Sequence, residues 1–301
     1  MGRLTAIVLG SAGGGGYPQW NCLCPACRLA WDGDKRVKPR SQASLAVTAD
    51  GEHWTLINAS PDLRAQLIAT PQLRPRGGAR GSPIAAVVLT GAEIDQVAGL
   101  LTLRERQPFA LFATAQTLAT LNANSIFGAL ADDFVSREAV APGAPFTLPG
   151  GLSAELFTVP GKVPLYLEDG DPATAMEDGS TVGAELVCDS RRLAYVPGAA
   201  AMTAALYQRL AQADVVLFDA TLFADDEMIA AGVGEKTGRR MGHMPLAGEG
   251  GSLAALAGLP GRRILTHINN TNPILIEGSP ERAKVEALGF EVAEDGMEIV
   301  L

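Results

Sequence analysis

The chain has 301 residues, 47% of them hydrophobic, enough to bury a sizeable core without disulfide support. Only 5% are aromatic and the formal net charge is −9, with no Lys/Arg run as long as a nucleic-acid arm. A base-stacking platform and a nucleic-acid partner are both unexpected, and the absence of long apolar stretches predicts no membrane-spanning helix.

Thr5–Leu9 reads as a buried strand leading into a glycine-rich turn, Gly10–Gly16. A dinucleotide fingerprint needs a helix straight after such a turn, but Tyr17-Pro18-Gln19-Trp20 follows, so the glycines read as a tight turn permitting close backbone approach. Cys22, Cys24 and Cys27 come next in a C-x-C-x2-C cluster. Thiolates so spaced can converge on tetrahedral Zn²⁺, with a fourth ligand from elsewhere; the competing reading is a set of buried, inert thiols. The crowding is poor geometry for disulfides, and the expected compartment is a reducing cytoplasm. Cys188, in the apolar stretch Thr181–Cys188, is expected in the core.

Ser44–Thr48 and Trp54–Asn58, separated by Asp50-Gly51, predict a hairpin, followed by a helix that starts at Pro61. A strand over Ile84–Leu89 turns through Thr90-Gly91 into a helix, because Ile94, Val97, Ala98 and Leu101 fall at i, i+3, i+4 and i+7. Thr90 and Glu93 have capping-box spacing. Glu93, Asp95 and Gln96 therefore stand just past a strand end, where open α/β sheets hold ligands, and capping and metal or substrate chemistry both fit.

Beyond a strand at Phe109–Ala113 and a helix near Gln116–Asn124, the acidic stretch Leu165–Gly179 is expected to be a mobile surface loop without a site. Val215–Asp219 is a strand ending in an acid, a second strand-end candidate. The loop Gly232–His243 brings together Arg239, Arg240 and His243, which suit a carboxylate or phosphate and a proton carrier; a solvated loop with a structural histidine is the alternative. His267 follows another strand end, and a helix and two short strands close the chain.

The segments GSAGGGGYPQWNCLCPAC, NASPDLRAQL, LTGAEIDQVAGLLTLRE, FDATLFADDEM, TGRRMGH, LTHINNTNPIL, SPERA and DGMEI together resemble the pyrroloquinoline quinone (PQQ) biosynthesis protein B family. The resemblance runs from the first strand to the C-terminus. It implies a metallo-β-lactamase-like αββα sandwich, two mixed sheets flanked by helices, as one domain over residues 1–301 built from two similar halves. The H-x-H-x-D-H motif of related hydrolases corresponds to Gly91, Glu93, Asp95 and Gln96, of which only Asp95 is unchanged; Gln96 stands where relatives commonly keep histidine. Pro160-Gly161-Lys162 and Pro197-Gly198 occupy the regions of the later bridging ligands.

By the same resemblance, His267 matches the last metal histidine, His243 a catalytic histidine of related phosphodiesterases, and Asn270 the fourth ligand of a structural zinc on Cys22, Cys24 and Cys27. With only three histidines in the chain, a dinuclear zinc hydrolase is not expected. The second centre is instead expected to hold Fe(II) through Glu93, Asp95, His267 and Asp219, with His243, Asp95 and His267 catalytic and Arg239 and Arg240 pairing with ligand carboxylates. The implied activity is iron- and O₂-dependent hydroxylation of the tyrosine ring in the crosslinked Glu–Tyr precursor of PQQ. The alternative is a non-catalytic carrier moving PQQ or its precursor toward the periplasm. A homodimer is left open.

Overall fold

Alternation along the strands sets the architecture. Ala6 and Val8 of β1 (Thr5–Gly10) pack into one core while Ile7 and Leu9 pack into another, as a strand covered on both faces must. In chain order the other strands are β2 (Ser44–Thr48), β3 (Trp54–Ile57), β4 (Ile84–Val88), β5 (Phe109–Ala113), β6 (Val135–Ala139), β7 (Pro145–Thr147), β8 (Ser153–Thr158), β9 (Val182–Cys188), β10 (Arg191–Val196), β11 (Val215–Asp219), β12 (Arg262–Thr266), β13 (Phe290–Val292) and β14 (Glu298–Val300). They form two seven-stranded mixed sheets, ordered β14-β1-β2-β3-β4-β5-β6 and β13-β12-β11-β10-β9-β8-β7. The structure, a computed structural model, describes residues 2–301.

The inner sheet faces meet in a shared core that includes Leu45, Val47, Ile57, Val88, Leu186, Leu193, Leu217 and Ile264. Helices cover the outer faces. Leu63 of α2 (Leu63–Ala69) and Leu118 and Leu121 of α4 (Ala115–Ala123) pack on the first sheet. Leu206 and Leu210 of α5 (Ala204–Leu210), Leu253 of α7 (Ser252–Leu256) and Val285 of α8 (Pro280–Ala287) pack on the second. The remaining α-helices are α1 (Pro25–Trp31), α3 (Ile94–Val97) and α6 (Glu227–Ala230). This is the expected αββα sandwich.

Each sheet pairs an antiparallel side with a parallel run, β3-β4-β5-β6 in the first and β10-β11-β12-β13 in the second. The segments leaving β4, β11 and β12 carry the candidate ligands, as the C-terminal ends of parallel strands commonly do.

The helix after β4 departs from expectation. Only Ile94–Val97 is α-helical, a 3-10 stretch follows over Ala98–Leu103, and Ile94 is 59% exposed instead of facing the core. Backbone docking explains the tightening: the Gly99 amide donates to Ala59 O at 2.8 Å, and a Cβ at Gly99 would lie 2.1 Å from Ser60 O. The cap is shifted as well. Glu93 is the N-cap, its carboxylate accepting from the Gln96 amide while Gln96 Oε1 accepts from the Glu93 amide. Thr90 pairs instead with Asn58, whose side-chain amide donates to Thr90 Oγ1 at 2.8 Å. The acidic loop is also not the free segment anticipated, since Gly161 and Met176 pair at its base and ion pairs tie its middle to the body.

Gly99→Ala is expected to destabilise the protein by about 1–3 kcal/mol or more, because backbone on both sides leaves no room for a methyl. Thermal or urea unfolding checks this; an unchanged midpoint would show that the 3-10 stretch does not depend on that contact.

Candidate metal centres

Asp219, the last residue of β11, is fully buried, and both oxygens of its carboxylate are held by neighbours. Oδ1 accepts from the Thr221 amide at 3.0 Å and the Thr221 hydroxyl at 2.6 Å; Oδ2 accepts from the Ala199 amide at 3.1 Å and lies 2.7 Å from His243 Nδ1. Thr221 Oγ1 in turn lies 2.8 Å from His267 Nδ1. Both imidazoles are thus gripped at Nδ1, and their rings stack 17° from parallel with centroids 5.1 Å apart. This is how metal-ligating histidines are oriented, one nitrogen anchored and the other offered.

His267 Nε2 points at Asp95 Oδ2, 2.9 Å away, bringing the first turn of α3 to the same place. His267 itself has φ +56°, a conformation uncommon for a residue with a Cβ, held here by Ile268 pairing with Ser11 O and with the Gly13 amide. The glycine-rich turn forms the neighbouring wall: a Cβ on Gly13 would lie 3.4 Å from His267 Cε1, and one on Gly14 3.8 Å from Asp95 Oδ2. The tight-turn reading of those glycines therefore acquires a place, beside the ligands.

Charge balance fits a cation. Burial pushes the Asp95 carboxyl up, but the hydrogen bond and charge of His267, with His243 behind it, hold it below the ordinary carboxylate value. Asp219 behaves alike, burial raising it and His243 and His267 prevailing. Burial pushes His267 down, yet Asp95, Asp219 and Glu93 leave it above its usual value. The acids around His267 favour positive charge at this place, as a divalent ion would supply. Asp219, His243 and His267 each offer a ligand atom within 4.8 Å of the others, and Asp95 extends the set. Two nitrogens and carboxylate oxygens suit Zn²⁺ and other first-row divalent ions. The Tyr195 hydroxyl, fully buried and without a hydrogen-bond partner among the described residues, is the residue sequence reading missed. Burial first, then Asp95 and Asp219, raise its pKa; within the apolar strand β10 nothing in the sequence marks it.

Several expected site residues lie elsewhere. Glu93 caps α3 and pairs with Lys162 Nζ at 3.2 Å, and Gln96 is spent on the same cap. Arg239 donates to Glu249 O, and Arg240 pairs with Glu168 and Asp171. Of the two arginines assigned to ligand carboxylates, Arg240 is thus paired with the chain's own acids and Arg239 with a backbone carbonyl.

The cysteine cluster is built as expected. Cys22, Cys24 at the N-cap of α1 and Cys27 within it bring their sulfurs within 4.8 Å of one another, all buried. Asn270 Nδ2 lies 3.1, 3.7 and 3.3 Å from the three sulfurs, so a half-turn of that amide presents Oδ1 as the fourth, oxygen ligand. Burial pushes the Cys24 thiol up to about 12 and raises Cys27 too. Without a cation these thiols hold their protons, and the donor set fits one tetrahedral Zn²⁺. Cys188 is a buried free thiol in β9, as expected.

The beta-lactamase superfamily domain matches residues 53–268. Coenzyme PQQ synthesis protein B of Methylobacterium nodulans is 58% identical over 299 residues, 99% of this chain and 100% of the relative. The chain belongs to the coenzyme PQQ synthesis protein B family. The family member of Gluconacetobacter diazotrophicus is 54% identical, covering 98% of this chain and 99% of its own length. Zn²⁺-bound PqqB from Methylobacterium extorquens superposes with a TM-score of 0.97 at 55% identity, over 99% of this chain and 100% of that one. A diphosphatase of the PhnP family, at 21% identity and TM-score 0.68 over 99% of this chain and 97% of that one, shares the fold.

One expectation needs correction. Counting histidines led to an iron oxygenase set apart from zinc-dependent centres. The PqqB of nearly the same structure is described with Zn²⁺ bound, and Asp219, His243 and His267 converge here as a group that could hold a metal ion. The denial of a zinc-dependent centre does not stand. The count failed because it credited Glu93, which caps α3, and missed that Asp219 serves both histidines.

Asp219→Asn is expected to lower metal affinity at the histidine centre by roughly 10–100-fold, the usual effect of losing a carboxylate that orients ligands. Equilibrium dialysis measures it, and an unchanged affinity would deny Asp219 that role. Zinc uptake by chelator-stripped protein should release protons and tighten as pH rises, since buried thiols must ionise to bind it. A pH indicator reads the release, which Cys24→Ser should diminish.

Proposed function

We propose that the protein carries out a metal-dependent step on a small molecule of PQQ biosynthesis at Asp95, Asp219, His243 and His267. The observation that carries this reading is the double grip at Nδ1, which leaves both histidines oriented at adjoining strand ends with Asp95 beside them. PQQ synthesis itself follows from family membership.

The finer reading is O₂-dependent hydroxylation of the tyrosine ring in the crosslinked Glu–Tyr precursor. A redox-active ion such as Fe(II) would supply the one-electron chemistry that O₂ requires. The chain's own groups supply the rest. Asp219 and Thr221 hold the imidazoles, His243 is the more exposed of the two, with its side chain 20% accessible, and so is placed to exchange a proton with a ligand. Gly13 and Gly14 keep the wall beside Asp95 bare so that a ring can approach. We place this activity in one domain spanning the chain. Free thiols at the cysteine site fit a reducing cytoplasm; among the described residues no helix is long and apolar enough to cross a membrane.

The second reading is a carrier of PQQ or its precursor. It is favoured by the use of Glu93 and Gln96 in the helix cap, which leaves Asp95 as the only ligand from the old hydrolase motif.

Chelator-stripped protein reloaded separately with Zn²⁺ or Fe(II), then given precursor, O₂ and a reductant, separates the readings. Mass spectrometry should find precursor heavier by oxygen with a loaded protein, and His267→Ala should lower the rate by about 100-fold or more. No product with either ion at full occupancy would overturn the enzyme. PQQ binding indifferent to metal and to His267→Ala would establish the carrier.

A further inference from the structure

Residues 162–175 form a loop whose ends meet where Gly161 and Met176 exchange hydrogen bonds of 3.0 and 2.9 Å, the closed base of an Ω-loop. The loop docks as a strap on the turn that leads into α3, the helix that carries Asp95. Tyr166 OH donates to Ala92 O at 2.7 Å and the Leu165 amide to Glu93 Oε1 at 3.0 Å, two residues from Asp95.

The strap holds on through polar contacts. Leu165, Tyr166 and Leu167 are 57, 43 and 47% exposed, so little apolar surface anchors it. Its middle is fixed by Glu168, whose side chain is only 8% exposed. One carboxylate oxygen lies 2.9 Å from Lys162 Nζ; the other is 3.4 Å from Lys236 Nζ and 3.2 Å from Arg240 Nη1. Arg240 also pairs with Asp171 of the strap at 3.0 Å. Lys236 and Arg240 belong to the body, and Lys162, the first residue inside the base of the strap, packs against it: its stem runs against Gly242, which precedes His243, and a Cβ at Gly242 would lie 3.1 Å from Lys162 Cγ.

Three cations from two segments around one shielded carboxylate make a carboxylate-binding site. Once Glu168 and Asp171 move away, Glu93 still pairs with Lys162, while Lys236 and Arg240 lose these carboxylate partners, in a protein of net charge −9. We propose that Lys162, Lys236 and Arg240 form a carboxylate-binding site that Glu168 fills in the resting chain. A carboxylate of a polycarboxylate ligand exchanges with Glu168 and releases the strap. The inference rests on the reading that a PQQ-pathway molecule binds at this centre, and PQQ, itself a tricarboxylate, is the probe.

Titration of metal-replete protein with PQQ, with benzene-1,3,5-tricarboxylate alongside, tests it. Glu168→Gln should tighten PQQ binding about 5–10-fold, because the site no longer spends most of its time self-occupied. Lys236→Gln with Arg240→Gln should weaken it about tenfold or more through lost charge-assisted hydrogen bonds. In the unmodified protein, saturating PQQ should speed amide hydrogen exchange within 162–175, which a structural staple would not do. That last measurement carries the test alone if Glu168→Gln does not fold. Equal affinities in all variants, PQQ binding that leaves strap exchange unchanged, or no saturable PQQ binding each overturns the proposal. Equal gains for the benzene tricarboxylate would assign the site to carboxylates in general. Failure to convert precursor bears on the proposed reaction and leaves strap exchange on PQQ binding as a separate result.

Discussion

The buried Asp219 carboxylate is the constraint on which the site depends. A charge with no exposure costs several kcal/mol unless it is paired and hydrogen-bonded, and Asp219 meets this through neighbours that sheet register delivers. Parallel pairing places Val196 opposite Phe218 and Asp219 opposite Thr266. The chain leaving β10 therefore passes the Ala199 amide to one oxygen, and the chain leaving β12 carries His267 toward Thr221, which binds the other. The order of strands and the placing of imidazoles are one fact seen at two scales.

The two candidate centres are joined by four residues. His267 belongs to one and Asn270 to the other, while between them the Ile268 amide donates to Ser11 O and the Asn269 amide to Thr221 O. A zinc on the three cysteines would fix the N-terminal turn against this segment, and Gly13 and Gly14 of that turn stand beside His267 and Asp95. A structural metal can therefore shape the second site without touching a ligand, by holding its glycine wall.

Much of this was legible in the sequence where the signal is local. Period-two apolar strands, the Asp50-Gly51 turn and the C-x-C-x2-C spacing each report on neighbours a few residues apart, and those elements stand where expected. The family resemblance added the sandwich, which no local pattern contains. What escaped was decided by distant partners. Gly99 looked like an ordinary helix position until Ala59 and Ser60 came to lie against it. Glu93 looked like a ligand because capping and metal binding use the same residue types at the same spacing. The acidic loop looked mobile because its cations are far away in sequence, Lys236 and Arg240 some seventy positions on. Tyr195 was invisible because its strand reads as core from end to end.

The central claim is that a metal binds where His243, His267, Asp95 and Asp219 converge, with Glu93 and Gln96 of the old motif left to cap α3. Anomalous scattering from a crystal of the metal-replete protein, recorded at the edge of the bound metal, tests it most directly. The account predicts two peaks, one among Cys22, Cys24, Cys27 and Asn270 and one against the two histidines and Asp95. A second peak ligated by Glu93 or Gln96, or a fully loaded protein with no peak at the histidines, would contradict it.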